Sequence, residues 1–308
     1  MTSLLSKSCQ VAFSALRYHL NAFKQQMNIS RENTILPSQL SFNANNELLQ
    51  TIISTANIVA SGDTKTFNNT QSLLLTLFEK IRLSKSDSKP STHYGYIPLP
   101  LSASSIFPTQ ISNVPPEKVY AELWETFVKE LENIPVSHRQ KWDLWLDHFD
   151  SICQCFTSNM PSITTSGVNP EVSLYDHSKT TAALATALWR WHEENQLTGH
   201  DQAVKLADRS ASWDEQKFLL IQGDFFGIQD FIFSGGSDSN KQAAKLLRGR
   251  SFQVSLFTEL AALKVLQACE LPSTSQMMNA AGKFLIIAPN TEKAVSYTHL
   301  TLPTILLV

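Results

Sequence analysis

The stretch Gly223-Asp224-Phe225-Phe226-Gly227-Ile228-Gln229-Asp230-Phe231-Ile232-Phe233 places two carboxylates and two glycines close together. It follows the apolar run Lys217-Phe218-Leu219-Leu220-Ile221, whose spacing predicts a buried strand stopped by a turn at Gly223-Asp224. Open α/β sheets place their ligands beyond strand ends. Glycine lets backbone N–H groups approach phosphate oxygens, and an aspartate there can hold a magnesium ion. A tight turn with a solvated aspartate is the other reading of the same residues.

Lys241, Lys245 and Arg248 follow at i, i+4 and i+7, with Arg250 just beyond and no acidic residue from 239 to 258. Within a helix these three lie within about 60° of one another and form one cationic stripe, suited to phosphate or an RNA backbone. A merely solvated helix face has the same pattern. Gly249 inside such a helix costs about 1 kcal/mol relative to alanine. A close contact that leaves no room for a Cβ explains it, and so does a break in the helix.

These groups must be held by the elements around them. Of 10 glycines only four precede residue 200, which predicts a helical first part and a compact, site-bearing module after it. Pro90, Pro98, Pro100, Pro108, Pro115 and Pro116 exclude regular helix from 90 to 116. Leu73, Leu77 and Ile81 predict a helix before that stretch, and Val119, Leu123, Phe127 and Leu131 one after it. Further helices are expected from Lys141 to Phe156, burying Trp142, Trp145 and Phe149, and from Thr180 to Asn195, introduced by Asp176-His177-Ser178. Asn240 to Cys269 predicts a long helix or a broken pair, with Phe252, Leu256, Leu260 and Leu263 in one row. Two short apolar runs, 276–279 and 284–287, flank Ala280-Ala281-Gly282-Lys283 and predict a hairpin. Strand, helix, hairpin is the first half of a ferredoxin-like unit. The fold class is therefore α+β: a helical N-terminal domain, then an incomplete β-α-β-β module.

Composition narrows the classes. A formal net charge of −2 excludes a globally basic nucleic-acid binder. No apolar run approaches the ~20 residues of a membrane helix, and the N-terminus lacks a secretory signal. Four cysteines fit a reduced, cytoplasmic protein. Cys153 and Cys155 are too close to act alone as a zinc knuckle, and no second pair is near.

Taken together, the Gly223–Phe233 segment, Ala244-Lys245…Leu247-Arg248-Gly249-Arg250-Ser251-Phe252 and Ala281-Gly282-Lys283-Phe284 resemble the first palm domain of the large subunit of type III CRISPR effector complexes. Ser173-Leu174-Tyr175-Asp176-His177-Ser178-Lys179-Thr180-Thr181-Ala182-Ala183 resembles the helix-opening motif before that palm, most like the III-A (Csm) branch. The resemblance covers about 171–290 and implies two facing palms that join ATP into cyclic oligoadenylates, with Mg2+, when target RNA is bound. Many members also carry an N-terminal HD nuclease. On this reading Asp224, Gly227, Ile228 and Gln229 lie near nucleotide, Lys245 and Arg248 serve phosphate, and the other effector subunits, crRNA and target RNA are the partners.

The departures from the family pattern are specific. No Gly-Gly-Asp-Asp occurs, so the catalytic second palm is missing, and Lys283 and Phe284 stand where a catalytic hairpin has carboxylates. Phe226 replaces the usual serine. No His-Asp pair occurs in the first 60 residues, and Asn57 replaces a metal-binding aspartate in Ala56-Asn57-Ile58-Val59. His200-Asp201 is read as loop, and His177 as orienting its helix start through Asp176. No catalytic and no metal-ligating residue is expected. The divisions are 1–89 (degenerate HD-like), 90–116 (connection), 117–214 (helical), 215–293 (truncated palm) and 294–308 (a tail foreign to the palm). Intact members are nucleotidyltransferases, and whether this chain is itself an enzyme stays open. A non-catalytic scaffold of the ribonucleoprotein is the second reading, and an HD phosphohydrolase using His177, His200 and Asp201 the third.

Overall fold

The computed structural model describes residues 3–26, 37, 40, 46–61, 73–80, 92–95, 98, 107–108, 110, 117–162, 171–208, 213–234 and 243–296. Its helices are α1 (Leu4–Gln26), α2 (Glu47–Ser61), α3 (Glu117–Glu132), α4 (Trp142–Thr157), α5 (Leu174–Glu194), α6 (His200–Ala207), α7 (Ile228–Phe233) and α8 (Ala243–Ala268). The strands are β1 (Phe218–Asp224), β2 (Gln276–Ala280) and β3 (Lys283–Pro289). Contacts divide the chain into a helical unit, 13–46 with 53–182, and a sheet unit, 1–12 with 47–52 and 183–308. Among the described residues no helix is long and apolar enough to cross a membrane.

Aromatic packing builds the helical unit. Trp142, Trp145, Phe149, Cys153 and Phe156 recur at three- and four-residue spacing on α4 and are all buried, as their period requires. The Phe13 ring meets Trp145 edge-on with centroids 4.9 Å apart, and Trp145 stacks on Phe149 at 4.9 Å. Helix α5 begins six residues before the expected Thr180. Ser173 Oγ accepts the Asp176 N–H at 3.0 Å and donates to Asp176 Oδ2 at 2.7 Å, a reciprocal cap that starts the helix at Leu174. The helix expected through Leu73, Leu77 and Ile81 does not form. Leu75 bridges His93 as isolated β structure, and only a four-residue 3-10 turn, Leu77–Lys80, follows. Ile81 and most of 90–116 lie outside the described residues.

In the sheet unit the strand order is β1-β3-β2, with β3 antiparallel to both neighbours. This is the split β-α-β arrangement expected from the element order. One face packs on α8 through Ile221, Phe284 and Ile286 against Ala262, Val265 and Leu266. Strand β1 continues through the residues expected to turn, pairing Gly223 with Phe284 and Asp224 with Lys283. It is half-buried rather than buried, because Leu220 on the opposite face is 66% exposed. The hairpin forms as expected. Ala281 at φ 54° and Gly282 at φ 79° make a two-residue turn with both residues left-handed, the twist that antiparallel strands favour.

Helix α8 is continuous across Gly249, so the broken-pair alternative fails. Its end is a Schellman-type stop: the Leu271 N–H reaches Leu266 O at 2.9 Å, with Glu270 left-handed at φ 52°. Arg190, 1% exposed, caps that stop by donating to Cys269 O at 3.0 Å and Glu270 O at 2.9 Å, and its guanidinium also pairs with Glu194. Residues 292–296 form a further helical turn, with Ala294 in the core; 297–308 lie outside the described residues.

Candidate functional site

The sheet unit brings two turns together. The Phe225 N–H donates to Gly282 O at 2.7 Å, which ties the segment after β1 to the hairpin turn. Ile228 lies over that turn: a Cβ on Gly282 would meet Ile228 Cδ1 at 2.3 Å. Gly227 sits before α7 at φ 71°, a backbone that glycine adopts without penalty, so its role is the turn itself. Gly223 has a different reason. A Cβ there would lie 2.0 Å from Cε1 of Phe284, whose ring covers the glycine across the strand pair. Gly223 and Gly282 thus let the β1–α7 connection lie close against the β2–β3 hairpin, while Gly227 shapes the turn between them.

Charge around these turns is sparse. Asp224 and Lys283 face each other across the register and pair at 3.2 Å, each about half exposed. The aspartate marked as a possible magnesium ligand therefore already has a cationic partner. Ile228 is half-buried, whereas Gln229, Lys245 and Arg248 are exposed. Lys241 lies outside the described residues. Arg250, read as an extension of the cationic stripe, turns inward: it donates to Ile232 O at 3.1 Å and to Ser234 O, capping α7 and tying it to α8. Phe226, where a serine was expected from the resemblance, is 91% exposed beside Gly227.

The helical unit holds a second convergence that the sequence reading missed in part. His177 does not orient its helix start through Asp176, which belongs to Ser173. Its Nε2 lies 2.8 Å from Asn57 Oδ1, and its ring meets the His19 ring edge-on at 4.7 Å. Burial lowers the pKa of His177, and burial with the neighbouring His177 lowers that of His19 to about 3. The signal for His19 was its place on the inner face of α1, one turn after Leu16; a lone histidine carries no spacing motif. Nearby, the Tyr175 hydroxyl donates to Asp150 at 3.2 Å, and Lys179 Nζ lies 3.1 Å from the same carboxylate. Burial and the Asp150 charge push the Tyr175 pKa up.

His200-Asp201, read as loop, opens α6, and His200 Nδ1 pairs with Glu47 at 2.7 Å in the sheet unit. All four cysteines are free thiols. Among the described residues no three His, Cys, Asp or Glu side chains converge as a metal ion requires.

Comparison with known proteins agrees with this geometry. Residues 217–300 match the family model described as Csm1 subunit domain B. Over 238 residues the chain is 30% identical to the CRISPR system single-strand-specific deoxyribonuclease Cas10/Csm1 (subtype III-A) of Methanocaldococcus jannaschii, covering 72% of this chain and 28% of that protein. The relative of the same description from Thermococcus onnurineus is 35% identical over 149 residues, 48% of this chain and 17% of that one. Among solved structures, Csm1 of T. onnurineus superposes with a TM-score of 0.67 at 22% identity, over 96% of this chain and 41% of that chain. A Csm1–Csm4 cassette in complex with cA4 superposes at 0.59 with 25% identity, over 80% of this chain and 29% of that chain. The chain spans less than a third of the length of the curated relatives it matches.

Proposed function

We propose, from the premise that this chain belongs to the Csm1/Cas10 large subunits of subtype III-A CRISPR systems and covers part of them, that it serves a type III antiviral effector complex. In that assembly residues 215–293 act as the first palm and lend one wall of an ATP site used for cyclic oligoadenylate synthesis. The helical residues before them are a degenerate HD-like region. The observation that carries this reading is the joined pair of turns, Asp224–Gly227 against Ala281–Gly282, in a unit whose α8 exposes Lys245 and Arg248. Structures of similar fold hold one ATP in one case and cA4 in another.

The chemistry divides accordingly. Asp224 is paired with Lys283 and the hairpin carries no carboxylate, so this chain's residues bind and orient rather than activate a nucleophile. Gly227, Ile228 and Gln229 shape the turn that nucleotide approaches, while Lys245 and Arg248 supply positive charge to phosphate. Mg2+ and the catalytic carboxylates belong to a second palm. A Csm4-like subunit, crRNA and target RNA complete the complex in the cytoplasm. Exposed Phe226 and the occupied Asp224 favour one alternative, a scaffold without a nucleotide role.

Calorimetric titration with ATP and Mg2+ separates the two. In the palm reading, Lys245→Ala and Arg248→Ala each weaken binding about 10-fold, or ~1.4 kcal/mol. Binding that survives both substitutions and Asp224→Ala removes the site assignment. No heat at millimolar ATP, with assembly onto the crRNA-bearing subunits intact, makes the scaffold the function.

A further inference from the structure

His19, Asn57 and His177 come from α1, α2 and α5, far apart in sequence, and all three lie in the helical unit. The Asn57 carbonyl oxygen accepts from His177 Nε2 at 2.8 Å. The His19 side chain is 2% exposed, packs edge-on against His177, and its Nε2 has no hydrogen-bond partner among the described residues. Leaving such a nitrogen buried and unpaired costs about 1–3 kcal/mol. A helix core gains nothing from that arrangement, since an apolar residue of similar size would pack there without the penalty. The cluster therefore has the form of a ligand shell rather than of ordinary core.

The donor set decides what it can hold. Two imidazoles and an amide oxygen carry no negative charge. Ions that assist phosphodiester cleavage are held by carboxylates together with imidazoles, because anionic oxygens offset the loss of the ion's hydration. The curated relatives are described as deoxyribonucleases, and the residues present here do not fit the metal such a hydrolysis would use. The spacing does fit. A nitrogen and an oxygen 2.8 Å apart are close to the ~3 Å between neighbouring ligands on one ion with bonds of about 2.1 Å.

We infer that His19, Asn57 and His177 form a metal centre silenced by a single side chain, in which the amide of Asn57 takes the place of the one carboxylate that a two-histidine site needs. Asn57→Asp exchanges an NH2 for an oxygen of nearly the same size and completes a two-histidine, one-carboxylate set, which suits Mn2+, Fe2+ or Zn2+. The inference is independent of the nucleotide site in the sheet unit.

The test uses the whole chain, incubated with Mn2+ or Zn2+, desalted and analysed for bound metal. The wild type should retain far less than one ion per chain, and its melting temperature should not respond to either metal. Asn57→Asp should retain about one ion per chain and melt several degrees higher with Zn2+, and adding His19→Ala should abolish both gains. Stoichiometric metal in the wild type overturns the inference, as does a folded, metal-free Asn57→Asp. Should the buried carboxylate prevent folding, Asn57→Cys brings in a thiol that is neutral until it binds. With Co2+ it should show a thiolate–cobalt charge-transfer band, and a folded Asn57→Cys without that band equally overturns the inference.

Discussion

The helical unit turns its polar side chains toward one another, whereas the sheet unit turns them outward. Asp150, Tyr175 and Lys179 close one network, and Asn57 and His177 pair beside His19, all on the inner faces of helices. Around the sheet, Gln229, Lys245 and Arg248 face out, as do the apolar Leu220, Phe226 and Phe252. A polar group buried with its partner specifies how helices pack. A polar group left outside is available to something else. The difference separates a unit whose polar groups meet one another inside from one that leaves them on its surface, where the proposed ligand would meet them.

Among the exceptions that sharpen this contrast is Arg190, which like Lys217 is a buried charge in the sheet unit. It serves the two carbonyls at the α8 stop, Cys269 O and Glu270 O, and pairs with Glu194. Arg190→Ala leaves those acceptors and the carboxylate without their donor. The expected loss is about 3–5 kcal/mol in urea unfolding, the cost of breaking a buried pair by removing one partner. A loss under about 1 kcal/mol would mean that the sheet unit does not depend on this internal charge.

Two glycines of the sheet unit test the same boundary between inside and outside. Gly223→Ala drives a Cβ into the ring of Phe284, which is 3% exposed and cannot swing away, so it should cost about 1–3 kcal/mol. At Gly249 an added Cβ meets nothing within 4 Å. Gly249→Ala should stabilise the isolated chain by about 0.5–1 kcal/mol through helix propensity. If it also weakens ATP binding or assembly, the glycine answers to a contact outside this chain. Thermal melts with paired binding assays give both signs.

These cases also mark what the sequence could tell. Period alone located α3, α4 and α8 and the hairpin, since three- and four-residue repeats and a glycine turn are local signals. It misplaced the start of α5, because the cap is Ser173 rather than the Asp176-His177-Ser178 cluster. It predicted a helix at Leu73, where pairing of Leu75 with His93 overrides spacing. The row Phe252, Leu256, Leu260, Leu263 has helical period but faces solvent, since the inner face of α8 is built from Val254, Thr258, Ala262 and Val265. Small and β-branched residues there let the helix lie close to the sheet. At the site, Gly227 and the hairpin turn were legible from residue type. Arg250 was not, because a basic residue next to a stripe looks the same whether it faces water or caps a helix. His19 escaped because the ring it packs against, His177, lies 158 positions away.

His19 and His177 of the helical unit should titrate in the opposite sense to His200 of the sheet unit. His19 is held neutral, with its pKa lowered to about 3, and His177 is lowered as well. The unfolded chain binds protons from about pH 6.5 downward while the folded chain does not. Stability should therefore fall as pH drops below 6.5, by up to about 1.4 kcal/mol per pH unit for each group. His19→Phe should flatten that limb. His200 is raised by its hydrogen bond to Glu47, so its contribution is present at low pH and lost as pH rises through its folded value. That pair is fully exposed, and Glu47→Gln should alter the pH dependence only slightly. An acid limb unchanged in His19→Phe would mean the polar core of the helical unit opens to water before it unfolds.

The smallest effect falls on the outer row of α8. Phe252 is 67% exposed and Leu260 is 49% exposed, so replacing either by serine removes little that the folded chain keeps from water. Phe252→Ser should change stability by less than about 0.5 kcal/mol, the usual range for surface positions without a special role. Serine in place of Ile286, fully buried in the sheet core, should be severely destabilising. The pair compares an exposed and a buried apolar position of one module with the same incoming residue. Should Phe252→Ser instead cost more than about 1 kcal/mol, the row is covered within the chain itself. The outward-facing surface would then be confined to the turns around Gly227 and to exposed cations such as Lys245 and Arg248.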